Sequence, residues 1–318
     1  MSMGAVPVMP TARVLPSILL IMLLPLLAGC SLRRFTVNRI GDAITGSSSL
    51  FAQEEDPELA KAAIPFALKS LEGLLAETPR HRGLLLAACS GFTQYSFAFV
   101  QQEADLVEGR DLTRATELRA RARNLYLRGR DYGLRGLEVD LPGFGAQLRT
   151  APEAALARAA PAQVPLLYYT AASWAAAFAL DVADARLAVD QTLMEKMMHR
   201  ALALDEAWEQ GTIHEFLIAW EAGHASAGGS TAAAQEHYQR AMALSLGARP
   251  STSVTLAEAV CLPAQDRAAF QRNLEAALAA DPAKAPGLAT VVAQRRARWL
   301  LAKMDDLFVD PEPKREKP

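Results

Sequence analysis

The sequence predicts an all-α protein in which antiparallel helical hairpins pack around one buried central helix. Three observations carry this. Ala, Leu, Arg and Glu are plentiful while Val, Ile and Thr are thin, a balance that favours helix through intrinsic propensity. No stretch shows the two-residue alternation of a half-buried strand. Leu84 to Val107 is apolar, aromatic or small at almost every position up to Val100, the pattern of a helix buried all round.

That run would be roughly 36 Å long as a helix, the span of a domain or of a bilayer. Gly91, Thr93, Gln94, Tyr95 and Ser96 interrupt it, leaving fewer than the roughly 20 apolar residues of a spanning helix. Gln101, Gln102, Glu103 and Asp105 end it as a wet tip with no basic belt beyond. It therefore reads as the core helix of a folded domain. Charges nearly balance at a formal net of -2, so no overall field points to nucleic acid or acidic lipid.

In chain order, Arg13 precedes an apolar run from Val14 to Leu27 that closes with Leu27-Ala28-Gly29-Cys30. This reads as a signal peptide ending in a bacterial lipobox, so residues 1–29 are expected to be removed and Cys30 acylated, holding the protein at a membrane, with an ordinary signal peptide and a chance Cys, or a short anchor, as the alternatives. Ser31 after the Cys favours the outer membrane over the inner. Met3 and Met9 are alternative starts. Residues 30–55 are polar and turn-rich, with Gly41, Gly46 and Ser47 to Ser49, a flexible tether. A domain over 56–309 follows. Asp56-Pro57-Glu58 opens its first helix with an N-cap acid and a first-turn Pro, and Thr78-Pro79 closes it. Arg110 to Glu138 is a long helix or a broken pair with Leu118, Ala122, Leu125, Tyr126, Tyr132, Leu134 and Leu137 as core positions. Its eight arginines read as a solvated face whose stems cover apolar surface, with an anion-binding surface as the sharper alternative. Residues 141–165, with four prolines and Gly143-Phe144-Gly145, are the irregular seam between two halves, with room for a short helix at 152–159. Leu166 to Leu180 is a second very apolar helix carrying Tyr168, Tyr169 and Trp174.

The second half repeats itself. Met194, Met198, Ala201, Leu202; Ala234, Tyr238, Ala241, Met242; and Phe270, Leu274, Ala277, Leu278 share one pattern. The alanines at 201, 241 and 277 lie 40 and 36 residues apart, close to the tetratricopeptide period of about 34. Tetratricopeptide-like hairpins are the expected units. A last helix runs over 288–307, and the tail 310–318 is polar, Pro-rich and expected to be disordered.

The motifs of familiar catalysis are missing. His214-Glu215 is followed by Ile218 where a zinc protease has its second His, the five histidines lack metal-ligand spacing, and no GxSxG, SxxK or Walker loop occurs. Neither catalysis, a metal nor a cofactor is expected. Cys89 and Cys261 sit in apolar patterns and read as buried thiols in preference to a disulfide. A helical array offers surface instead, and Tyr95, Phe99, Tyr168, Tyr169 and Trp174 are the candidate ligand or partner residues, with core packing as the alternative for each.

DPELAKAAIPFALKSLEGLLAETPRHRGLLLAACSGFTQYSFAFVQQEAD, from Asp56 to Asp105, resembles the opening of the TatT family, the T component of TRAP transporters. The resemblance continues through RARNLYLRGRDYGLRGLE, VPLLYYTAASW, GTIHEFLIAWE, EHYQRAMALS and AQRRARWLLAKMDDLF, over residues 39 to 309. It departs at Tyr169, where the pattern has Trp. What it implies is a periplasm-facing lipoprotein of tetratricopeptide-like fold that associates with the soluble substrate-binding (P) subunit of a TRAP transporter. It also leaves room for a hydrophobic ligand and for a homo-oligomer, and it transfers no residue role beyond that of Cys30. A general envelope-assembly scaffold is the remaining alternative.

Overall fold

The computed structural model describes residues 53–224 and 229–309. The expected signal peptide, Cys30, most of the expected tether and the tail 310–318 lie outside them. Among the described residues every regular element is helical, so the chain is all-α.

Helix α1 (Pro57–Glu77) begins as its sequence requires: the Asp56 carboxylate accepts from the Glu58 and Leu59 backbone N–H groups, and Pro57 occupies the first turn. Thr78 closes it by donating both its N–H and its hydroxyl to the Leu74 carbonyl. Helix α2 (Arg82–Glu108) is one continuous rod of 27 residues, with a π-helical stretch at Ser96–Gln101. It runs antiparallel to α1, so that Leu68 meets Gly91 and Lys61 Nζ lies 3.2 Å from Glu103. By length and composition α2 is apolar enough to cross a membrane. Its apolar side chains are used in helix packing: Leu84, Leu85, Ala88, Phe92, Tyr95, Phe99 and Val100 are all buried. Burial is not complete all round, because Gln94 and Phe97, the latter 52% exposed, face outward.

Helix α3 (Leu112–Asp140) is the arginine-rich segment, unbroken over 29 residues, and it lies between α2 and α6 (Val164–Ala179). Three glycines make this possible. A Cβ at Gly133 would land on Thr170 Oγ1 and within 2.8 Å of Cys89 Sγ; one at Gly129 would meet Ser173 Oγ and the Cys89 carbonyl; one at Gly136 would meet Leu166. The spacing 129, 133, 136 puts all three on one stripe, where the neighbouring helices approach the backbone directly. The arginines are not simply solvated. Arg119 pairs with Asp105 and Glu108, Arg123 with Asp181 and Asp184, and Arg128 with Glu72. These three join α3 to its neighbours, with acids meeting their charge.

Residues 141–165 are more regular than their prolines suggest, forming α4 (Phe144–Thr150), α5 (Pro152–Ala157) and a 3-10 turn at Pro161–Gln163. Pro152 and Pro161 sit at first-turn positions, where a missing N–H is harmless. Helices α6, α7 (Ala185–Ala188) and α8 (Gln191–Leu204) follow, then α9 (Thr212–Gly223) and α10 (Thr231–Ser245) as a hairpin. Helix α11 (Pro250–Leu256) runs on into a π stretch at Ala257–Cys261 and packs on α12 (Arg267–Ala279) and α13 (Leu288–Ala302). A short α14 (Met304–Leu307) ends the domain. The repeated positions are core ones: Met194, Met198, Ala201, Ala234, Ala241, Phe270, Leu274 and Ala277 are buried.

Among the described residues there are two hydrophobic clusters, one from Ala60 to Trp220 and one from Ile218 to Phe308, which meet along α9, whose Ile213, Leu217 and Trp220 belong to the first and whose Ile218 belongs to the second. The two ends of the domain also meet. Arg296 of α13 pairs with Asp105 of α2 and with Glu258, and Arg295 with Glu58 of α1, so the last long helix is tied back to the first two.

Candidate functional site

The five candidate surface residues separate in the structure. Trp174 is 1% exposed and belongs to the core, held between the guanidinium groups of Arg130 and Arg149 at 5.2 and 5.8 Å, with its indole N–H unpartnered. Tyr95 and Phe99 are buried against each other on α2, ring centres 5.8 Å apart. Phe99 also reaches a small cleft with Lys61, Gln102, Leu106 and Arg295. Tyr168 and Tyr169 are half-buried and come together, 5.1 Å apart and edge to face.

The structure adds a third ring. Trp208 lies 4.9 Å from Tyr168 and 5.9 Å from Tyr169. It arrives on a turn that sequence reasoning passed over, Trp208–Gly211, in which Glu209, Gln210 and Gly211 all have positive φ (43°, 57° and 87°). For the two non-glycine residues this conformation costs on the order of 1 kcal/mol each. Gln94 donates to the Tyr169 hydroxyl at 3.1 Å, and Arg249 donates to the Glu209 carbonyl. Thr212 also bonds that carbonyl, at 2.9 Å. The visible signal was the Gly211 that permits the turn; nothing local marked Trp208 as a partner of residues 39 and 40 positions earlier.

Electrostatically the recess is quiet. Arg249, at its edge, gives its charge to Glu215, whose carboxylate also accepts from Ser251 and Thr252. Glu209 stays in contact with solvent, yet surrounding protein desolvates it enough to raise its carboxyl pKa, Arg249 opposing. Burial likewise raises both tyrosine hydroxyls. Three half-buried rings, set edge to face or tilted, beside a neutralised ion pair are weakly polar groups of the kind that can anchor a partner side chain or a ligand. Among the described residues no three His, Cys, Asp or Glu side chains converge as a metal site. His214 and His237 do meet, Nδ1 to Nδ1 at 2.8 Å, with Glu206 3.1 Å from the other His214 nitrogen; 23 residues separate the two rings, so spacing rules could not see the pair. Cys89 and Cys261 are both buried and unpaired, and burial pushes the Cys89 thiol up to about 12.

Fold and aromatic cluster together define an all-α protein that gathers Tyr168, Tyr169 and Trp208 at one place. The family model described as TRAP transporter T-component matches residues 53–308. An uncharacterized protein of Treponema pallidum (strain Nichols) is 31% identical over 306 residues, covering 90% of this chain and 95% of its own. The chain belongs to the TRAP transporter T-component family. That membership gives it a role in a TRAP transporter, makes it a transporter component, not a member of an enzyme family, and places its work at the bacterial cell envelope.

Proposed function

We propose that this protein is a lipid-anchored scaffold, facing the periplasm, that docks the substrate-binding (P) subunit of a TRAP transporter and aids solute uptake. The observation that carries this reading is the family match over nearly the whole folded domain. Acylated Cys30, in the outer membrane, supplies location. Residues 31–55 supply reach, and tetratricopeptide-like hairpins supply the surface on which the partner sits. The Tyr168, Tyr169 and Trp208 recess is its anchoring point, because aromatic side chains at the centre of an interface carry a large share of binding energy. A second reading, a carrier that itself holds a hydrophobic small molecule, draws support from the same rings and from the charge-neutral border made by Arg249 and Glu215.

The test is a pull-down from detergent-solubilised envelopes with the tagged, acylated protein, read by mass spectrometry. Docking predicts recovery of a TRAP-type substrate-binding protein, reduced at least tenfold by Trp208→Ala, the expected loss for one buried aromatic anchor. Recovery unchanged in that variant would remove the recess from the interface. Co-elution of a lipid or other apolar molecule in place of a protein would favour the carrier.

A further inference from the structure

We propose that His214 and His237 together hold one divalent transition-metal ion of the nickel or copper class, with Glu206 as the carboxylate that orients the pair. Spacing along the chain gave no sign of this, because the rings stand 23 residues apart, one on α9 and one on α10. In the fold their Nδ1 atoms lie 2.8 Å from each other, with ring centres 5.1 Å apart and planes at 43°.

The hydrogens of the pair follow from its neighbours. Arg240 donates to both oxygens of Glu206, at 2.7 and 2.8 Å, which keeps that carboxylate ionised and able only to accept. His214 Nε2, 3.1 Å from Glu206 Oε1, is therefore the nitrogen that carries hydrogen. Its Nδ1 is left with a bare lone pair, and the hydrogen between the rings belongs to His237. An imidazole that donates one N–H to a carboxylate and keeps the opposite nitrogen free is the arrangement found where a carboxylate orients a metal-binding histidine.

Distance selects the ion. At a bond length of about 2.0 Å, two nitrogens at right angles on a square-planar or octahedral ion lie about 2.8 Å apart, whereas on a tetrahedral ion they lie about 3.3 Å apart. The separation in this fold is the shorter one, which suits Ni2+ or Cu2+ better than Zn2+. The His214 side chain is 6% exposed and His237 is half-buried, so the ion enters past His237 and water fills its remaining positions. On binding, the ion takes the place of the hydrogen between the rings. His237 then carries that hydrogen on Nε2, exchanged through solvent, and no net proton is released. The bound ion clamps α9 to α10, and α9 is the helix along which the two hydrophobic clusters meet. The assignment is independent of the docking reading, which uses neither histidine.

The test uses the untagged chain with Cys30→Ser, so that its only thiols are the buried Cys89 and Cys261. Titration calorimetry with Ni2+ should give one ion per chain, bound more tightly than Zn2+. His237→Gln should weaken Ni2+ binding at least tenfold, and so should Glu206→Gln, which keeps both imidazoles in place. Excess Ni2+ should raise the melting temperature of the native chain but not that of His237→Gln. With Cu2+, electron paramagnetic resonance should show two imidazole nitrogens in the native chain and one in His237→Gln. Circular dichroism of the metal-free variants checks their folding, and Glu206→Gln carries the test if His237→Gln does not fold. No Ni2+ binding, Zn2+ bound as tightly as Ni2+ or more so, or Ni2+ affinity unchanged in the folded variants, the mark of adventitious binding to other histidines, would each overturn the proposal.

Discussion

The tightest statement this structure makes about single residues concerns Gly133. Its hydrogen faces Thr170 and Cys89, so Gly133→Ala must displace α6 or α2. Overpacking of this kind costs about 2–3 kcal/mol, a fall in melting temperature of about 5–10 °C for a domain of this size. Gly73 is the internal control. It is exposed in α1 with nothing near its missing Cβ, and Gly73→Ala should raise stability by about 0.5–1 kcal/mol. Thermal melts of the two variants should move in opposite directions. The glycine stripe was not legible in the sequence, where Gly129, Gly133 and Gly136 look like interruptions of an arginine-rich helix. A glycine's purpose lies in its neighbours, and Thr170 and Cys89 are some 40 residues away on either side. Of the aromatic candidates, nothing in the sequence separated half-buried Tyr168 and Tyr169 from Trp174 in the core, because a large amphipathic ring fits either setting.

At the scale of elements, the α9–α10 hairpin carries its own pH response. Burial, with the neighbouring His214 adding, lowers His237 to about 4, and burial also lowers His214 against the opposing pull of Glu206. Folding therefore favours the neutral imidazoles. Their contribution is complete above the unfolded value of about 6.5 and is lost as pH falls from there toward 4. Glu206, which Arg240 and then His214 hold down to about 2, stays ionised through that window, so the histidine loss can be read apart from the carboxylate loss at lower pH. Urea midpoints at pH 7 and pH 5 check this: the pH 5 midpoint should be lower, and His237→Phe with His214→Phe should flatten the difference. Helix positions and ends were the most legible feature of the chain, since Asp56, Thr78 and the repeated Ala and Leu positions act locally. The region 141–165 was the least legible, because proline at a first turn and proline in a loop are identical in one dimension.

At the scale of the whole molecule, the fold depends on a meeting of its ends. Arg296 is 15% exposed at its side chain, contacts Asp105 and Glu258, and stacks over Trp299 at 4.5 Å. Removing one partner of such a half-enclosed network costs about 3 kcal/mol, whereas the exposed Arg295 to Glu58 pair is worth about 0.5 kcal/mol or less. Arg296→Ala should therefore speed proteolysis within 288–309 and enlarge the radius of gyration in small-angle scattering, and Arg295→Ala should do neither. The sequence did not show this contact, since the acids that receive Arg296 stand 191 and 38 residues before it. An open stack of helix pairs can grow or shrink by gaining or losing a unit, and its relatives differ in length accordingly. Where the last long helix is tied back to an early one, as Arg296 ties α13 to α2, inserting or deleting a pair between them would leave Arg296 facing the wrong helix. Variation in such a chain is then confined to loops and to side chains on the rim, and the number of helices becomes a constant of the design.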